Sequence, residues 1–124
     1  MNSDLGTRLV PSLLAADLRT TIDFYLRLGF SLDGVHPNEA QPTWIALTRG
    51  SITLTFHSEP PLGTPTAPVC SGTFYFYPKD LDALLEEFKG QVAFAWGPEV
   101  MPYGLREFAI EDPNGYHLAF VTPA

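Results

Sequence analysis

Two stretches of this chain can be laid on each other. "ADLRTTIDFYLRLGF", from residue 16, aligns with "KDLDALLEEFKGQVA", from residue 79, when Asp17 is set on Asp80, and Leu18, Ile22 and Tyr25 then fall on Leu81, Leu85 and Phe88. In each copy the Asp can cap a helix N-terminus with its side-chain oxygen, apolar residues follow at helical spacing, and a glycine, Gly29 or Gly90, supplies the stop. A strand precedes each helix, "LVPSLLA" (9 to 15) in one copy and "TFYFYP" (73 to 78) in the other, and further strands follow. A unit of one helix and a few strands is too small to cover its own sheet, so two copies in one chain must pack together. The pattern predicts an α+β fold of two tandem βαβββ modules forming cupped mixed sheets. Module one is expected over residues 7–57, a linker over 58–72 and module two over 73–121, all within a single domain.

The remaining elements are read from local composition. "TWIALTRGSITLTFH" (43 to 57) is rich in β-branched and aromatic residues and reads as a hairpin turning at Arg49-Gly50-Ser51. "SEPPLGTPTAPVCSG" (58 to 72) holds four prolines and two glycines, which exclude a continuous helix or central strand. "QVAFAW" (91 to 96), "LREFAI" (105 to 110) and "YHLAFV" (116 to 121) read as strands. Asp112-Pro113-Asn114-Gly115 suits a type I turn with a following bulge between the last two. "DGVHPNEAQP", with His36, and "WGPEVMPYG", with Tyr103, read as loops. Pro11 cannot donate to a ladder, so it belongs near a bulge or an edge of its strand.

Composition excludes several classes of function. A chain of 124 residues, 45% hydrophobic, suffices for one well-packed domain. No apolar run approaches a membrane span and no basic leader is visible, so a cytoplasmic protein is expected. Cys70 is the one cysteine and can make neither an internal disulfide nor a zinc knuckle. Fourteen acidic against seven basic residues give a formal charge of −7, which repels nucleic acid and anionic lipid and mildly attracts cations.

The stretches "DLRTTIDFYLRLGF", "KDLDALLEEF" and "YGLREFAIEDPNGYHLAF" resemble the vicinal oxygen chelate superfamily of glyoxalases, ring-cleaving dioxygenases and bleomycin-resistance proteins. The last stretch, with the proline of "VPSLLAADL", is most similar to the bleomycin-resistance branch. The resemblance implies the glyoxalase/bleomycin resistance protein fold. In metal-dependent relatives a His or Gln stands seven residues before the capping Asp of each half, with a Glu or similar ligand on the last strand of each half. Here the opening positions are Val10 and Thr73, and the closing ones are Thr53 or Thr55 and Ala119. Val and Ala cannot ligate and neutral Thr ligates weakly, so no metal or other cofactor is expected.

The same resemblance implies a site. Carried over by position, the stacking aromatics of the bleomycin-resistance branch fall on Trp44, Tyr75 and Tyr103 and an acidic neighbour on Asp33, while another aromatic falls on Gly34. His117 shares strand parity with Ala119 and joins the candidates. Trp44 and Tyr75 fit core positions as well as ligand positions. Arg106 and Glu107 alternate, so only one of them can face the cup. The expected function is sequestration, without turnover, of a small planar or cationic aromatic compound in a metal-free cup at a homodimer interface. Exposed rings supply stacking and cation–π attraction there, and an exchanged N-terminal strand shaped by Pro11 would join the protomers. The alternative is a metal-dependent lyase or oxidoreductase of glyoxalase or dioxygenase type, with a displaced site on His57, His117 and Glu107. A metal-independent isomerase or lyase using one cavity His or Glu is a third reading.

Overall fold

The computed structural model describes residues 3–60 and 65–124. Residues 61–64 of the expected linker lie outside the described residues. Elements run in the order β1 (Ser12–Leu14), α1 (Leu18–Arg27), β2 (Ser31–His36), β3 (Trp44–Arg49), β4 (Ile52–His57), β5 (Thr73–Phe76), α2 (Leu81–Phe88), β6 (Phe94–Val100), β7 (Leu105–Glu111) and β8 (His117–Pro123). Two four-stranded sheets result, ordered β1-β4-β3-β2 and β5-β8-β7-β6. In each, the first strand pairs parallel with the last and the others are antiparallel. This is the α+β architecture the repeat predicts.

The caps form as the sequence demands. Asp17 accepts from the Thr20 amide at 3.1 Å and Asp80 from the Ala83 amide at 3.0 Å. Gly29 and Gly90 leave their helices at φ +84° and +76°, conformations that penalise a Cβ. The Gly115 amide bonds the Asp112 carbonyl at 3.0 Å, closing the turn between β7 and β8.

Three elements depart from the sequence expectation. β1 is shorter than residues 9–15, because the ladder starts only after Pro11, whose carbonyl accepts both the amide (3.1 Å) and the hydroxyl (2.7 Å) of Thr55. His36 ends strand β2 instead of lying in a loop. A bulge at Asp33 resets the parity, so that Leu32 and Val35, three residues apart, lie opposite the buried Leu47 and Ile45, and the alternation of "SLDGVH" breaks after Gly34. β6 spans residues 94–100 and not 91–96, since the Gln91 and Val92 amides still bond the Phe88 carbonyl at 3.0 and 3.3 Å. It runs on through Gly97 and Pro98, which an edge strand tolerates, so only the residues before Leu105 turn.

The two halves share one core. Leu18, Ile22, Tyr25, Ile45, Leu47 and Phe56 of the first join Leu81, Phe88, Phe108, Ile110 and Phe120 of the second. Each helix meets the terminal hairpin turn of the other half. Tyr25 on α1 donates to Asp112 at 2.8 Å, and Asn114 Nδ2 donates to Thr21 Oγ1 at 3.1 Å. Reciprocally, Arg49 at the β3–β4 turn bonds both oxygens of Glu87 on α2, at 2.6 and 3.0 Å, and its guanidinium carbon lies 5.8 Å from the Phe88 ring centroid. Among the described residues no helix is long and apolar enough to cross a membrane.

Candidate ligand-binding cup

Strand alternation decides what each sheet presents away from the core. On β7 and β8 the residues Phe108, Ile110, Leu118 and Phe120 enter the core. Glu107, Ala109, Glu111, His117, Ala119 and Val121 therefore project from the opposite face, paired as Glu107 with Val121, Ala109 with Ala119 and Glu111 with His117. β5 adds Thr73 beside His117 and Tyr75 beside Ala119, and β6 adds Trp96 beside Ala109. Tyr103, in the turn after β6, closes over this face.

Glu107 is the centre of the arrangement. It has no accessible surface, yet it carries a carboxylate. Trp96 Nε1 donates to its Oε2 at 2.7 Å and the Tyr103 hydroxyl to its Oε1 at 2.5 Å. Among the described residues no Lys, Arg or His forms an ion pair with it. Tyr103 and Tyr75 are 54% and 44% exposed, and their hydroxyl oxygens lie 3.5 Å apart. The bond to Glu107, followed by that to Tyr75, pushes the Tyr103 hydroxyl well above the ordinary phenol range, since both favour the protonated form. Arg106, on the other face of β7, pairs with Asp82 of α2. The backbone beneath is close-packed at Gly97, where φ is +74° and an added Cβ would lie 2.3 Å from the Glu107 carbonyl oxygen.

His117 lies at the margin of the same face. Its Nε2 is 3.2 Å from Glu111 Oε1, its Nδ1 is 4.0 Å from Cys70 Sγ, and its ring meets Trp96 edge-on at 5.3 Å. The Cys70 thiol donates to the Gly72 carbonyl at 3.1 Å.

The other two candidates belong to the first sheet. Trp44 pairs with His57 across β3 and β4, and Asp33 accepts from the Thr48 hydroxyl at 2.9 Å. A Cβ on Gly34 would lie 3.0 Å from Trp44 Cζ3, so the Trp44 ring already covers the position where the family pattern has another aromatic. Tyr75, Tyr103 and His117 thus share one sheet face, while Trp44 and Asp33 sit on the other sheet.

Register also assigns the chelate positions. Ser12 pairs with Thr55 as Tyr75 pairs with Ala119, and each of the first pair members stands five residues before its capping Asp, so Thr55 is the counterpart of Ala119. Val10, Thr55, Thr73 and Ala119 offer neither imidazole nor carboxylate. The displaced set is not assembled. His57 belongs to the first sheet, with its Nδ1 2.9 Å from Ser12 Oγ, while Glu107 and His117 pair four positions apart on β7 and β8, roughly 13 Å along the strands. Among the described residues no group of three His, Cys, Asp or Glu could hold a metal ion.

Sequence reasoning missed Trp96 and left Glu107 out of the binding set. The parity of β7 carries the signal for Glu107, because Phe108 and Ile110 must face the core. Trp96 lies within the expected strand, but its place opposite Ala109 is set by a register between β6 and β7 that two irregularities shift.

The fold has close counterparts. A bleomycin resistance determinant encoded on the transposon Tn5 superposes with a TM-score of 0.72 at 26% identity, over 95% of this chain and 98% of that one. A bleomycin-binding protein complexed with bleomycin gives 0.71 at 22% identity, over 96% and 100%. TnmS3, an antibiotic-binding protein from Streptomyces sp. CB03234, gives 0.74 at 21% identity, over 99% and 100%. No curated protein matches. The family model of the Glyoxalase/Bleomycin resistance protein/Dioxygenase superfamily matches residues 9–120, and with that match and the paired βαβββ sheets this chain belongs to that superfamily.

Proposed function

We propose that this protein is a binding protein of the bleomycin-resistance kind, which sequesters a small planar or cationic aromatic compound without transforming it. In this reading the chain is one cytoplasmic domain, with modules 7–57 and 73–121 joined by linker 58–72, and it works without metal or other cofactor. Two protomers pair so that the face bearing Tyr75, Tyr103 and His117 in one and the face bearing Asp33 and Trp44 in the other wall a shared cup. One observation carries the reading. Exposed aromatic rings surround a fully buried carboxylate on a sheet face turned away from the core, a combination that suits flat cations better than anions or sugars. Bleomycin-binding and antibiotic-binding proteins among the structural counterparts support it. So do the N-terminal residues Leu5 and Leu9, 98% and 87% exposed, which a partner protomer would cover. Isothermal titration with metal-free bleomycin and with simple cationic aromatics tests the proposal. Heat from at least one, saturating at one ligand per cup, is expected; silence from all of them, with the dimer intact, refutes it.

A further inference from the structure

We infer that Glu107 reads the charge of the bound compound, and that the ligand is a cation bearing at least one N–H, a protonated amine or amidinium, which takes over from Tyr103 as donor to Glu107. The inference rests on the cup reading above and narrows its ligand.

A carboxylate withdrawn from water needs its lone pairs met and its charge balanced. Glu107 has the first and lacks the second. Both oxygens accept hydrogen bonds, but from two neutral donors, Trp96 and Tyr103, and no cation pairs with it among the described residues. An incoming N–H cation supplies the missing charge, and charge-assisted bonds are stronger than those of neutral donors.

The two donors differ in how firmly they are held. Trp96 lies on β6, paired with Ala109, with its ring against His117. Tyr103 stands in a turn with more than half its surface exposed. Rotation of Tyr103 frees Oε1 while Oε2 keeps its bond to Trp96, so one donor replaces another and no buried oxygen is orphaned. The released hydroxyl passes to water, and the Tyr75, Trp96 and Tyr103 rings remain around the cation. A quaternary ammonium gains the cation–π term alone, because it has no proton for Oε1. A neutral aromatic gains stacking alone.

The test is isothermal titration of the full chain with three probes on one ring system: naphthalen-1-ylmethylammonium, its N,N,N-trimethyl derivative and naphthalen-1-ylmethanol. Wild-type protein is expected to bind the primary ammonium about tenfold or more tighter than the alcohol, with the trimethyl compound between them. Glu107→Gln is expected to collapse that ratio to below about threefold. Glu86→Gln, which removes a charge from the surface of α2, is expected to keep it. Tyr103→Phe, which deletes the competing hydroxyl, is expected to bind the ammonium more tightly, whereas a merely structural or ligand-contacting hydroxyl would make binding weaker. Equal affinities for ammonium and alcohol in wild type, or weaker ammonium binding by Tyr103→Phe, overturn the inference and leave the aromatic cup standing. Absence of heat from all three probes overturns both.

Discussion

The hydroxyl of Tyr25 donates to the carboxylate of Asp112 at 2.8 Å, joining α1 of the first half to the last turn of the second. Asp112 is only 4% exposed, and its Oδ1 also accepts from the amides of Asn114 (2.8 Å) and Tyr116 (3.0 Å). Tyr25→Phe leaves one buried oxygen without its donor, and should lower the unfolding free energy by about 1–3 kcal/mol in urea titrations.

The same pair makes stability depend on pH. Burial raises the Asp112 carboxyl above its ordinary value of 3.8, against the opposing pull of its hydrogen bonds to Tyr25, Tyr116 and Asn114. An acid whose folded value is raised contributes stability that is fully present below the unfolded value and is lost as pH rises through the folded one. Wild-type protein should therefore lose stability relative to Asp112→Asn as pH climbs above 3.8, a trend that denaturation at a series of pH values will reveal or refute.

Gly97 lies where β6 presses on β7. With φ at +74° and the Glu107 carbonyl oxygen 2.3 Å from any added Cβ, Gly97→Ala should cost about 3 kcal/mol or more, combining left-handed strain with overpacking. Gly50 is the control: φ is +59° with open space around it, so Gly50→Ala should cost only about 1–2 kcal/mol. Equal losses would contradict the close approach.

Phe108 has no accessible surface and packs between Phe94 and Phe120, with ring centroids 5.0 and 5.1 Å away. Phe108→Ala should cost about 3–5 kcal/mol, read from the shift of the unfolding midpoint at constant slope.

The proposed cover of Leu5 and Leu9 by a partner protomer predicts a change of assembly. Deleting residues 1–10 spares Pro11 and its bonds to Thr55, and light scattering should show dimers for the full chain and monomers for the truncated one. An undiminished dimer would dismiss these residues from that role.

How far the sequence discloses this molecule depends on how local the causes are. Both helices were legible because their determinants, Asp17 with Gly29 and Asp80 with Gly90, lie within one short segment each. β2 was opaque because the bulge at Asp33 spoils its alternation, and β6 because α2 unwinds through Val92 and because Gly97 and Pro98 look like a loop until the neighbouring strand is known. The site follows the same rule. Tyr75 and His117 reach one face through strand parity, a local property, while Tyr103 comes over it from the turn after β6 through its bond to Glu107. The bond of Trp96 to Glu107 depends on the register between β6 and β7, which two irregularities shift, and no pattern within either strand reveals it.

The reciprocal grip of helix on turn has a consequence for self-recognition. Tyr25 and Phe88 occupy equivalent places in the repeat, yet one carries a hydroxyl that requires Asp112 while the other offers a bare ring to Arg49. Two first halves brought together would bury a tyrosine hydroxyl with no acid to receive it, and two second halves would bury an aspartate with no donor from the helix. Each half is thereby made a misfit for its own duplicate and a match for its sibling, so the unlike pair is the one that closes the core.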